Sequence, residues 1–182
     1  MRATPVNAAI EANLSPTAQL IVREAVLADR GRVQEIASGA MRSFDIEPDF
    51  ANLDRDLGRF GDIDAEPGAT VYLVAQSASE VVGSLILSRM DEQTLKLSAF
   101  YVDAACRGQG VGRCLLREAV AIGAARGYRR IYLETWEKMT AAVRLYTAFG
   151  WQRGERLAPA SGAEWSYVLD LDATTPAHAT PS

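Results

Sequence analysis

Apolar residues recur along this chain in two rhythms, one of period two and one of period three to four. Residues 19–24 alternate and predict a strand. After Asp29, placed to cap a helix, Val33, Ile36 and Ala40 fall at helical spacing as far as about Met41. Pro48 and Asp49 then open a second helical stretch carrying Phe50, Leu53, Leu57 and Phe60, followed by a polar loop over 61–68. Two β-rich runs, 70–75 and 81–90, flank a short turn at 76–80 and predict a hairpin. A further strand covers 93–103. Residues 110–126 predict a helix that Gly127 ends from the position just past its last turn. Residues 130–135 read as a strand with Ile131 and Leu133 on its apolar face. Residues 140–149 read as a helix stopped by Gly150. A last antiparallel pair, 151–157 and 164–172, turns around Pro159 and Gly162.

The predicted order is β-αα-βββ-α-β-α-ββ, with no internal repeat and no second domain. Residues 1–18 are polar and alanine-rich and read as a flexible extension. The folded domain is expected over 19–172. The Ala/Thr/Pro tail 173–182 reads as disordered.

Composition narrows the function classes. A chain of 182 residues can bury one real core. A net charge of -4 gives no nucleic-acid footprint. No apolar run approaches the ~20 residues of a membrane span, and the N-terminus lacks the apolar core of a signal peptide. The two cysteines, Cys106 and Cys114, have no metal-site spacing and read as reduced thiols. These features predict a cytoplasmic protein. The single histidine, His178, lies in the tail, which argues against histidine-based catalysis and against a His-ligated metal.

The chemistry concentrates at Arg107-Gly108-Gln109-Gly110-Val111-Gly112, between a predicted strand and a predicted helix. Closely spaced glycines let backbone N–H groups converge, and the helix start adds unpaired N–H groups and a positive dipole end. Together these make a seat for phosphate oxygens, with Arg107 and Arg113 to screen the charge. A P-loop fails, because Gly108 is followed five residues later by Arg113 and not by glycine and lysine. A dinucleotide fingerprint is weak, because its third glycine would fall at Arg113. The pattern R-x-x-G-x-G matches without a gap.

With this loop, the strand 97–103 before it and the segment from Ala141 through Tyr146 to Gly150 and Trp151 after it, the chain resembles the GCN5-related N-acetyltransferase (GNAT) superfamily over roughly residues 20–172. The resemblance implies an α/β (α+β) fold. Its single central mixed, mostly antiparallel sheet of about 6–7 strands has splayed middle strands and about four helices. It implies acetyl-CoA as co-substrate. The pyrophosphate would lie on Arg107, Gly108, Gln109, Gly110, Val111, Gly112 and Arg113, and the pantetheine and thioester oxygen on the main chain of Tyr101, Val102 and Asp103. Tyr146 stands at the family's general-acid position. Glu134, twelve residues earlier, stands where the ribosomal-protein alanine acetyltransferases carry a glutamate base; Glu137 is a weaker candidate. Two positions depart from the pattern: Met139 replaces an asparagine that contacts coenzyme A in many relatives, and Lys96, which cannot be a carboxylate base, lies near where many relatives carry a glutamate on the cofactor strand.

The expected activity is N-acetylation of a primary amine by direct attack in a ternary complex, the acceptor being a small-molecule amine or a peptide N-terminus. The alternatives are a noncatalytic acyl-CoA-binding module and, less favoured, a nucleotide-binding protein. The acidic segment holding Asp45, Glu47, Asp49, Asp54, Asp56, Asp62, Asp64 and Glu66 would attract a cationic amine. Phe44, Phe50, Phe60, Trp136 and Trp165 are candidates for an acceptor pocket. Trp165 and Tyr167 are candidates for the edge of a homodimer.

Overall fold

The computed structural model describes residues 19–52, 54–62, 68–159 and 162–172. The expectations for 1–18, 173–182, Leu53, Asp64, Glu66 and His178 lie outside the described residues. Strands β1 (Leu20–Glu24), β2 (Thr70–Ser77), β3 (Glu80–Arg89), β4 (Thr94–Val102), β5 (Arg130–Thr135), β6 (Gln152–Arg156) and β7 (Trp165–Asp170) form one sheet. Helices α1 (Arg30–Arg42), α2 (Arg55–Gly58), α3 (Val111–Ala125) and α4 (Thr140–Ala148) accompany it. The strand order is β1-β2-β3-β4-β5-β7-β6, and every neighbouring pair is antiparallel except β4–β5. That parallel pair is joined by α3, the crossover a parallel connection requires. The predicted element order and the mostly antiparallel mixed sheet are therefore both present.

Alternation along the strands gives the sheet two apolar faces. One carries Leu73, Leu85, Leu87, Leu95, Leu97, Ile131 and Leu133 and packs on Leu115, Leu116 and Ala119 of α3 and Tyr146 of α4. The other carries Val74, Val81 and Ile86 and packs on Val33, Ile36 and Ala37 of α1, with Leu57 and Phe60 beyond.

Two local expectations are corrected. Asp29 sits at the start of α1 but does not cap it. Its carboxylate instead accepts two hydrogen bonds from Arg23 of β1, at 2.8 and 2.9 Å, and one from the Val26 amide at 2.8 Å. Asp29 thus fastens the first strand to the turn that leads into α1. The second predicted helix is reduced to the single turn α2. Asp49 and Asp54 close a tight turn ahead of it, the Asp49 amide donating to Asp54 Oδ2 at 2.8 Å and the Asp54 amide to the Asp49 carbonyl at 2.8 Å. The Phe50 carbonyl is also turned against Gly58, where an added Cβ would clash with it. A continuous helix would point that carbonyl along its own axis. The helical spacing of Phe50, Leu57 and Phe60 reflects burial on one core, not one helix.

Candidate active site

The site begins where β4 and β5 part. They pair only at Thr94↔Arg130, Leu95↔Ile131 and Lys96↔Tyr132, and beyond that both strands continue without pairing each other. A bulge bends β4 at this point: its register against β3 shifts between Ser84 and Ile86, and Ala99 holds a left-handed φ of 48°. Such a conformation is costly for a residue with a Cβ and persists only where its surroundings hold it. The fully buried Ser84 contributes to that by donating its hydroxyl to the Ala99 carbonyl at 3.0 Å.

Past the bulge, the Asp103 amide donates to Val82 of β3 at 2.9 Å, and Tyr101 pairs with Ser84. Alternation then turns the N–H and C=O of Phe100 and Val102 toward the gap. Of the three main-chain positions expected to meet pantetheine, Val102 turns its N–H and C=O to the gap, Tyr101 pairs with Ser84, and the Asp103 amide is bonded within the sheet. Asp103 uses its side chain instead, accepting from the Ala105 amide at 2.8 Å and from Arg32 of α1. It fixes the turn that leads into the glycine loop.

In that loop Gly108 and Gly110 have φ of 76° and 86°, values that favour glycine. The first ladder bond of α3 runs from Cys114 to the Gly110 carbonyl at 3.0 Å. The amides of Val111, Gly112 and Arg113 precede it and have no acceptor within the helix. A Cβ on Gly112 would lie 3.0 Å from Leu145 and 3.1 Å from Phe100, so only glycine lets α3 start this close to β4 and α4. Arg113 lies over the Phe149 ring at 5.5 Å and is exposed, as are the side chains of Arg107 and Gln109.

The gap between the strands is a cleft of about 150 Å³, lined by residues that include Phe100, Glu134, Trp136, Met139 and Tyr146. Tyr146 is 5% exposed and stands among Phe100, Trp151 and Tyr167, with ring centroids 5.8 to 6.3 Å away. Burial, with a smaller contribution from Tyr101, pushes its phenol well above the ordinary tyrosine value. The group keeps its proton at neutral pH. Tyr101 is raised to about 12 by burial and by Asp54.

Glu134 lies on the cleft wall between two donors. Lys96 Nζ is 3.0 Å from Oε2, and the Tyr132 hydroxyl donates to Oε1 at 2.8 Å. Burial and the Glu134 carboxylate raise the Tyr132 phenol to about 12. The partner of Glu134 is therefore Lys96 on the opposite strand, at the last rung before the strands diverge. Met139 starts α4 and receives a weak hydrogen bond from Thr135 Oγ1 at 3.7 Å. Glu137 is exposed, pairs with Arg153 at 3.6 Å and stands outside the cleft lining.

A second cavity of about 280 Å³ lies across β4, lined by Asn52, Asp54, Arg55, Asp56, Leu57, Ser98, Ala99 and Tyr101. It abuts the first through Ser98, Ala99 and Tyr101. Among the described residues of the acidic segment, only Asp54 and Asp56 line it; Asp62 pairs with Arg30, and Glu47 with Arg42 at 3.2 Å. The aromatic candidates separate in the same way. Phe60 is wholly buried against Tyr72, and Trp165 lies under Arg153 at 3.4 Å, so neither lines a pocket. Tyr167 is 5% exposed on an interior strand and cannot form a dimer edge. Ser84, Ser98 and Ala99 were absent from the sequence expectations. Two serines in otherwise apolar strands were the available signal for the bulge; nothing marked the alanine.

Among the described residues no group of His, Cys, Asp or Glu could hold a metal ion, and no helix is long and apolar enough to cross a membrane. The acetyltransferase (GNAT) family matches residues 33–151. The chain is 34% identical over 111 residues to the N-alpha-acetyltransferase RimI of Mycobacterium tuberculosis, covering 58% of this chain and 68% of that protein. It is 31% identical over 87 residues to human N-acetyltransferase 8B, but there it spans only 38% of the relative's length. Among solved structures, an acetyltransferase of the GNAT family from Staphylococcus aureus Mu50 superposes with a TM-score of 0.73 at 21% identity, over 84% of this chain and 99% of that one. The yncA acetyltransferase from Salmonella typhimurium, solved with its cofactor acetyl-CoA, superposes with a TM-score of 0.65 at 20% identity, over 90% and 98%. With its splayed central strands and glycine loop matched by the family over most of the folded region, this chain belongs to the acetyltransferase (GNAT) family.

Proposed function

We propose that the chain is an N-acetyltransferase that moves the acetyl group of acetyl-CoA to a primary amine. One observation carries this reading: the strands part at Lys96, and the cleft they open brings Tyr146 and Glu134 to its walls while the glycine loop stands at the end of β4. The residues present fit the co-substrate. The free amides of Val111, Gly112 and Arg113, with Arg107 beside them, suit a pyrophosphate. The unpaired edge of β4 at Phe100 and Val102 suits the amides of a pantetheine arm. Acetyl-CoA supplies an acetyl thioester.

The chain's own groups would do the proton work. Glu134 takes the proton from the attacking amine, oriented by Lys96 and the Tyr132 hydroxyl. A gap-facing amide of β4 donates to the carbonyl oxygen as it gains charge. As the C–N bond forms and the C–S bond breaks, Tyr146 gives its proton to the departing sulfur. The acceptor enters from the α2 side, where Asp54 and Asp56 attract its positive charge.

The test is thiol release from acetyl-CoA across a panel of amines, beside calorimetric binding of acetyl-CoA. Amine-dependent release is expected. Tight binding with no release on any amine would favour the noncatalytic module instead. Glu134→Gln should lower turnover by about a hundredfold. Turnover unchanged in Glu134→Gln would sink the base role.

A further inference from the structure

Lys138 lies in the chain between Trp136 and Met139, both of which line the cleft, and its surroundings are unusual for an ammonium. It forms no ion pair among the described residues. Glu137 beside it pairs with Arg153, and Glu47 pairs with Arg42. The Lys138 ammonium lies instead over two aromatic faces, 5.2 Å from the Trp136 ring centre and 5.5 Å from that of Phe44. Both distances are within reach of a cation–π attraction.

The two rings come from different segments, and each is held by a turn. Phe44 follows α1, its amide bonded to the Met41 carbonyl at 2.9 Å, and Asp45 at φ 60° reverses the chain after it. Trp136 follows β5, its carbonyl accepting from the Met139 amide at 3.0 Å, and it lines the cleft. The rings are therefore fixed, while Lys138 is an exposed side chain on a flexible stem. The fixed part is a cation site, and the mobile part is a cation.

We propose that Phe44 and Trp136 form a binding site for a second cationic group of the acceptor, a site that Lys138 fills until the acceptor displaces it. The acceptor is then an amine carrying another positive charge, of the alkyl diamine class. This assignment rests on the acetyltransferase reading; the cation site itself does not. Lys138 competes from within the chain and so weakens the acceptor by the fraction of time it covers the rings. The carboxylates of Asp54 and Asp56 in the neighbouring cavity raise the local concentration of dications without replacing the rings.

The test compares diaminobutane with butylamine on the full chain, by calorimetric binding and by kcat/KM. Lys138→Met should tighten diaminobutane about two- to fivefold, the size of an exposed cation–π attraction, and leave butylamine unchanged. Phe44→Leu in the Lys138→Met background keeps the apolar volume, removes the ring face and should reverse the gain. No tightening of either amine would overturn the site, and equal tightening of both would overturn its assignment to a second cationic group, because butylammonium is itself a cation the rings can take. The calorimetric arm needs no turnover, so it stands if the acetyltransferase reading fails. A selective binding change without a matching change in kcat/KM would overturn the assignment of the site to the acceptor.

Discussion

The two sides of the cleft are built from different materials. The cofactor side is backbone: left-handed glycines at 108 and 110, the open start of α3, and the unpaired edge of β4 beyond its bulge. The proposed acceptor side is side chain: Phe44, Asp54, Asp56, Trp136 and Lys138, carried on α2 and on turns between α1 and β2 and between β5 and α4. A backbone site asks for glycine at fixed spacing and tolerates little else. A side-chain site on turns asks only that some suitable group reach the right place, and many sequences satisfy that. The first side can serve one co-substrate throughout a family, while the second is free to change with the acceptor.

The largest effect expected from this division is at Tyr146, where the two sides meet. Tyr146→Phe keeps the ring among Phe100, Trp151 and Tyr167 and removes only the hydroxyl. It should cut kcat by about 10² to 10⁴, leaving the affinity for acetyl-CoA close to unchanged. Because burial raises the phenol, the wild-type kcat should not fall on the alkaline side until above the ordinary tyrosine value of about 10. Unchanged kcat in the variant would remove Tyr146 from the chemistry.

The same division explains what could be read from the sequence. The sheet, the crossover helix and the glycine loop were legible, because alternation, helical spacing and glycine spacing are local signals. The strand from Arg130 to Thr135 was placed to the residue, and α3 to within one residue at each end. The bulge at Ala99 was not legible, because an alanine at φ 48° carries no mark of its own; the constraint lies in Ser84, fifteen residues away. The one-turn α2 was misread as a longer helix because Phe50, Leu57 and Phe60 share a core for reasons of tertiary packing. Glu134 lines the cleft, but its partner Lys96 is near only after β4 and β5 pair.

A smaller effect is expected at Asp29, which ties β1 to the start of α1 and so holds the acceptor-side layer to the sheet. Asp29→Ala removes two hydrogen bonds from a guanidinium and one from an amide, and should cost about 2 kcal/mol at neutral pH. The Arg23 hydrogen bonds, then the Val26 amide, hold the Asp29 carboxyl below its ordinary value, against the opposing effect of burial. A folded-state value below the unfolded one stabilises above the unfolded value, near 3.9, and the benefit is lost as pH falls through the folded value. The gap in melting temperature between wild type and Asp29→Ala should be full at pH 7 and should close below about pH 4. A gap that does not depend on pH would assign the loss to packing instead.

The smallest effect has opposite signs on the two layers. Gly39 is exposed in α1, and an added Cβ there meets nothing within 4 Å. Gly123 is buried in α3, and its added Cβ would lie 2.9 Å from Leu171 and 3.4 Å from Ile131. Helix propensity favours alanine over glycine by about 0.8 to 1 kcal/mol at both positions. At Gly39 nothing opposes that gain, so Gly39→Ala should raise the melting temperature by a few degrees. At Gly123 the methyl group meets Ile131 at ordinary contact distance but must push Leu171 aside within a packed core, at a cost of about 1 to 3 kcal/mol, so Gly123→Ala should lower it. The cofactor-side helix is close-packed against the sheet at a position where the acceptor-side helix faces open space. Two melting curves decide whether that contrast holds: stabilisation by both substitutions would mean that Leu171 yields freely, and α3 is no more tightly set than α1.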